Sequence, residues 1–157
     1  MENQRSSKRR ASVIRYTLLF LWIGVIFFLS SPEGSSYQTS RIIGPLLHFF
    51  IPNILPETEA VIHGFVRKCA HVTEYAVLAF LAIRAFSISA PSALRHKSFL
   101  FALLLVVLIA SLDEINQSFE ASRTSSIWDV LLDISGGLVM TVSFWLFRRR
   151  FLSAAIS

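Results

Sequence analysis

Three apolar stretches of the chain carry side chains suited to proton chemistry: His71, Glu74 and Tyr75 in one, Asp113, Glu114 and Gln117 in the next, Asp129 and Asp133 in the last. On a helix, His71, Glu74, Tyr75 and Leu78 fall at i, i+3, i+4 and i+7 and share a face, with Arg67 one turn before them. Asp113 and Gln117 are spaced i, i+4, and Asp129, Asp133, Gly136, Gly137 and Met140 form one stripe. Carboxylates crowded away from water share protons, so one of Glu74, Asp113 and Glu114 can act as general acid while a neighbour acts as base. His71 is placed to shuttle the proton, and Arg123 to grip a phosphate or carboxylate through its two-pronged guanidinium. Tyr75, Asn116 and Gln117 add neutral hydrogen-bonding groups, while Gly136 and Gly137 let a neighbouring helix approach the carboxylates closely.

A metal centre is a weaker expectation. His71 with Glu74 at i, i+3, and Asp113 or Glu114 nearby, offer nitrogen and oxygen ligands, but the acidic motifs hold a single His. No nucleophile elbow, phosphate-binding loop or repeated His-ligand motif is present, and the sequence leaves any cofactor unidentified. The alternative is a non-catalytic module: the same pocket binds an amphiphile, a lipid headgroup or a partner protein, or, in its structural variant, Arg123 pairs with Asp129 or Asp113 and the charges lock the helices together. Acid remains in excess, however, after Arg67, Lys68 and Arg123 are paired.

The elements that must position these groups are membrane helices. With 157 residues, 54% apolar content, 16% charged residues and a mean hydropathy of +0.58, an ordinary soluble domain is excluded and an all-α integral membrane protein is expected. Four transmembrane helices are expected at about residues 14–30, 70–88, 97–113 and 127–147. Between the first two, Pro45, Pro52 and Pro56 break continuity, so a loop and a short interfacial or re-entrant segment are expected, with Phe49 and Phe50 dipping into lipid. The domain organisation reads as a basic cytoplasmic arm over 1–12, a single transmembrane domain over 13–150 and a short tail over 151–157. The start of the chain has the general shape of a secretory signal but lacks an A-x-A-like site, so an uncleaved first helix is expected. Cys69 stands alone and cannot form an internal disulfide.

Charge sets the expected orientation. Arg5, Lys8, Arg9, Arg10 and Arg15, then Arg84, Arg95 and Lys97, then Arg148, Arg149 and Arg150 fall on one side, which places both termini in the cytoplasm. The other side receives nine of the ten acidic residues. A basic inner face suits anionic membrane lipid and argues against nucleic acid as a partner. Helix length then sharpens the acids. The charge-free parts of the last two spans, Ser98 to Leu112 and Ile134 to Phe147, are about 21 to 23 Å long at ~1.5 Å per residue. A hydrocarbon core is about 30 Å thick, so Asp113 and Asp133 are expected below the outer surface, facing protein or a polar pocket.

The string RKCAHVTEYAVLAFL (Arg67 to Leu81) resembles the RK-x-A-H-x-x-E-Y-x-x-L motif of VanZ-like membrane proteins. SLDEINQSFEASRTSSIWDVLLDISGG (Ser111 to Gly137) resembles their second motif, and FFLSSPEGSS (Phe27 to Ser36) is similar to the turn after their first helix. The resemblance implies a multi-pass protein of the bacterial cytoplasmic membrane and cell envelope. It also implies a link to glycopeptide antibiotic resistance of the teicoplanin type, with a lipid-linked cell-wall precursor or a lipoglycopeptide as partner. Two positions depart from the family pattern: Leu112 stands where serine or glycine often flanks the acid pair, and Asn116 stands where His is common. Asn116 can donate and accept hydrogen bonds but cannot titrate.

Overall fold

A computed structural model describes residues 2–31, 36–89, 97–119 and 126–154. These form five helices: α1 Glu2–Leu29, α2 Ser36–Phe50, α3 Pro56–Ser89, α4 Ser98–Ser118 and α5 Ile127–Ala154. No strand occurs among the described residues. Four of the helices, α1, α3, α4 and α5, are long and apolar enough to cross a membrane, as the hydropathy pattern leads one to expect.

The boundaries differ from the sequence reading in instructive ways. Pro56 does not break a helix; it opens α3, where its missing N–H costs nothing and its fixed φ suits the first turn. Thus α3 is 34 residues long, about 51 Å at ~1.5 Å per residue, and exceeds a bilayer core of about 30 Å. The basic arm is likewise helical from Glu2 and continuous with the first span. The stretch read as interfacial forms α2, which accommodates Pro45 and packs on the early part of α3. Its Phe49 and Phe50 are exposed. Helix α4 continues five residues past the expected end at 113, which places Glu114 and Gln117 in the same helix as Asp113.

α3 lies at the centre, packed against α1, α4 and α5. It buries Tyr75, Leu78, Ala79, Ala82, Ile83 and Ala85, and the repeated alanines let its neighbours come close. α4 answers with Ala102, Val106, Ile109, Ala110, Asp113 and Gln117, which recur at helical spacing on one face. Its other face, Leu100, Leu104, Leu108, Leu112 and Ile115, is exposed and apolar, as a lipid-facing surface must be. Cross-links fix the helix directions. Ser30 just past α1 meets Gln117 near the end of α4, with Gln117 Nε2 3.4 Å from Ser30 Oγ. At the opposite end, Ser87 Oγ donates to Ser98 Oγ at 3.0 Å and ties the end of α3 to the start of α4. Ser30 and Gln117 are thereby brought to one end of the bundle, opposite the end that holds Ser87, Ser98 and Lys97.

Candidate functional site

Asp113 is the hub of that end. It is 1% exposed, and its Oδ2 accepts hydrogen bonds from Ser30 Oγ at 2.8 Å, Gln117 Nε2 at 2.9 Å and the Tyr75 hydroxyl at 3.3 Å. The Gln117 bond is the i, i+4 contact of the helix; those from Ser30 and Tyr75 bring in α1 and α3. Asp113 Oδ1, by contrast, is buried without a hydrogen-bond partner among the described residues. A buried carboxylate oxygen left this way is costly, and such groups in membrane spans are kept for a task or a partner.

A second carboxylate stands beside it. Asp133 of α5 is 3% exposed, and its Oδ1 lies 3.4 Å from Nδ1 of His71 on α3, within ion-pair range but outside hydrogen-bond geometry. Both of these atoms are therefore buried without a hydrogen-bond partner among the described residues. One ligand-type atom from each of His71, Asp113 and Asp133 lies within 4.8 Å of the other two. Helix α5 reaches this position because Gly136 presents no side chain to α3: a β-carbon there would collide with the Val72 backbone carbonyl. At Gly137 a β-carbon would come within 2.7 Å of Val106 Cγ1 on α4. The paired glycines thus let one helix approach α3 and α4 together.

The remaining expected site residues are distributed around this core. Glu74 is half-buried on α3, and its backbone carbonyl accepts a hydrogen bond from Trp22 Nε1 of α1 at 2.9 Å. The Glu114 carboxylate turns the other way and accepts a hydrogen bond from the backbone N–H of Ser126, which fastens the end of α4 to the start of α5. Ser126 in turn caps α5, its Oγ accepting from Trp128 N–H at 3.2 Å. Asp129 is partly buried one turn before Asp133, and Asn116 is exposed on α4. Arg123, the expected anion clamp, lies outside the described residues, as do Arg95 and His96 of the central loop. For the metal expectation the structure brings His71 together with Asp113 and adds Asp133, while Glu74 and Glu114 are not part of the cluster.

Two contributors were not legible as site residues. Ser30 ends an apolar run beside Ser31, where either serine reads as ordinary turn punctuation. Trp22 sits within an apolar span, where an indole reads as packing.

No curated protein and no solved structure matches the chain. The profile of the VanZ/LLP1 family matches residues 15–148, a range that takes in α3 and α4 whole, the greater part of α1 and α5, and every residue of the cluster. The chain therefore belongs to the VanZ/LLP1 family.

Proposed function

We propose that this VanZ/LLP1 family protein holds, at the outer leaflet of the bacterial cytoplasmic membrane, an acidic pocket that binds or modifies an amphiphilic or lipid-linked envelope molecule. Both termini face the cytoplasm, in keeping with the basic residues at the far end of the bundle. One observation carries the reading: Asp113 Oδ1 is buried with no described donor, and Asp133 Oδ1, on another helix, meets only His71 Nδ1 at 3.4 Å, outside hydrogen-bond geometry. Charges whose purpose is to lock helices would be expected to pair fully, whereas a site awaiting a ligand leaves acceptors open.

The pocket's chemistry is acid–base. Tyr75, Ser30 and Gln117 fix the Asp113 carboxylate, and His71, 3.4 Å from Asp133 and one turn before Glu74 on α3, is the proton carrier. A lipid-linked cell-wall precursor or a teicoplanin-type lipoglycopeptide is the class of molecule the family membership points to, and resistance to such antibiotics is the corresponding phenotype. The test is binding to the full chain in lipid nanodiscs, titrated with a polyprenyl phosphate and, separately, with teicoplanin. Saturable binding that Asp113→Asn and Asp133→Asn abolish supports the reading; binding unchanged in both variants, or none to either molecule, refutes it.

The second reading is a structural module, favoured by one contact. The Glu114 carboxylate accepts from the Ser126 backbone N–H, a contact that supports a joining role for this acid between α4 and α5.

A further inference from the structure

We infer that His71, Asp113 and Asp133 form a binding site for a divalent transition-metal cation of the Zn2+ or Mn2+ type. The inference starts from charge. Two carboxylates buried side by side in a low-dielectric interior repel each other, and a single protonated imidazole leaves the trio one negative charge in excess. A divalent cation with a neutral imidazole and two carboxylates brings the sum to zero.

The donor atoms agree with the charge. Asp113 Oδ1, Asp133 Oδ1 and His71 Nδ1 are all buried without a hydrogen-bond partner among the described residues. Asp113 and Asp133, at 1% and 3% exposure, meet no bulk water to compensate them. One ligand atom from each residue lies within 4.8 Å of the others. Ligands around Zn2+, with bonds of about 2.0–2.2 Å, stand about 3.4 Å apart, so rotations of about an ångström close the set. A nitrogen with two carboxylate oxygens suits the borderline cation Zn2+, and the two carboxylates also suit the harder Mn2+, whereas Mg2+ keeps to oxygen ligands.

The surroundings supply the support that a metal site requires. The non-ligating oxygen of Asp113 is held by Ser30, Tyr75 and Gln117, which fixes the direction of the free one. The close approach at Gly136 and Val72 fixes the spacing between the helices that carry Asp133 and His71. Three protein ligands leave a coordination position open, and an anionic headgroup or water can take it. That last role rests on the amphiphile reading above; cation binding itself does not.

The experiment uses the full chain, purified in detergent and stripped with EDTA. ZnCl2 binding is followed by calorimetry, and MnCl2 binding by electron paramagnetic resonance. The expected result is one ion per chain, with affinity reduced more than about 10-fold in Asp113→Asn, Asp133→Asn and His71→Ala and unchanged in Glu57→Gln. Spin-echo spectra of bound Mn2+ should show coupling to a single nitrogen in the unaltered protein, a readout that does not depend on any variant folding. Failure to bind either cation, equal affinity in the three ligand variants, or bound Mn2+ without nitrogen coupling would overturn the assignment. Polyprenyl phosphate binding measured with and without the cation then separates the two claims. Headgroup binding without cation binding leaves the pocket standing and sinks the metal; the converse sinks the headgroup reading alone.

Discussion

No β-carbon fits between Gly136 on α5 and the backbone carbonyl of Val72 on α3. Val72 adjoins His71, and Gly136 lies one turn beyond Asp133, so this close approach sets the distance at which the imidazole meets the carboxylate. Gly136→Ala is therefore expected to push the helices apart at the site. Overpacking of this kind costs roughly 1–3 kcal/mol, and the intruded atom is backbone, which cannot rotate away. Thermal unfolding in detergent measures it, and an unchanged midpoint would show that α5 shifts freely. Gly137→Ala meets the Val106 side chain instead, so trimming Val106→Ala should restore part of its loss, whereas no second change rescues Gly136→Ala.

The ligands of Asp113 Oδ2 should differ in weight. Ser30 donates at 2.8 Å and Tyr75 at 3.3 Å, so Ser30→Ala should destabilise by about 1.5–3 kcal/mol and Tyr75→Phe by about 0.5–1.5 kcal/mol. Urea or thermal unfolding of the two variants in the same detergent gives the order. A larger loss for Tyr75→Phe would place the main support of Asp113 on α3 rather than α1.

Orientation is open to direct chemical labelling. Phe119 is exposed just beyond α4 at the site end, and Lys97 is exposed at the start of the same helix. In a Cys69→Ser background, a cysteine at position 119 should react with a membrane-impermeant maleimide in intact cells. A cysteine at position 97 should react only after permeabilisation. The reverse pattern would put the acidic end in the cytoplasm.

A smaller device holds α2. The Glu59 carboxylate of α3 lies 3.4 Å from His48 Nε2 on α2 and 3.5 Å from His63 Nε2 one turn along its own helix. His48 is half exposed, so the pairing is worth little to global stability. It should still govern where α2 sits. Glu59→Gln is expected to leave the unfolding midpoint unchanged while raising amide hydrogen exchange over residues 41–50; equal exchange would show that apolar packing alone docks the helix.

Much of this was readable from residue spacing. The four spans followed from hydropathy, and the Asp113–Gln117 contact followed from i, i+4 spacing alone. What spacing could not supply is the third dimension. Asp113 and Glu114 are adjacent and chemically alike, yet a step of about 100° along the helix turns one into the bundle and the other toward Ser126. The meeting of His71 with Asp133 depends on the Gly136 contact between helices far apart in sequence. Pro56 misled the reading because a proline that breaks a helix interior is equally at home in a helix's first turn.

The central claim is that Asp113 and Asp133 are held for a ligand and not for stability. Both residues sit where an amide can replace the carboxylate without loss of shape, and the Asp113 oxygen that accepts three bonds has a counterpart in asparagine. Neutralising both acids removes their mutual repulsion and their desolvation cost, and a neutral imidazole at His71 needs no counter-charge. The most direct measurement is the unfolding midpoint, in metal-free detergent, of the protein carrying both Asp113→Asn and Asp133→Asn. A midpoint within about 4 °C of the unaltered protein, or above it, is the expected result. A fall of more than about 10 °C would show that the two acids hold the helices together, and would contradict the account.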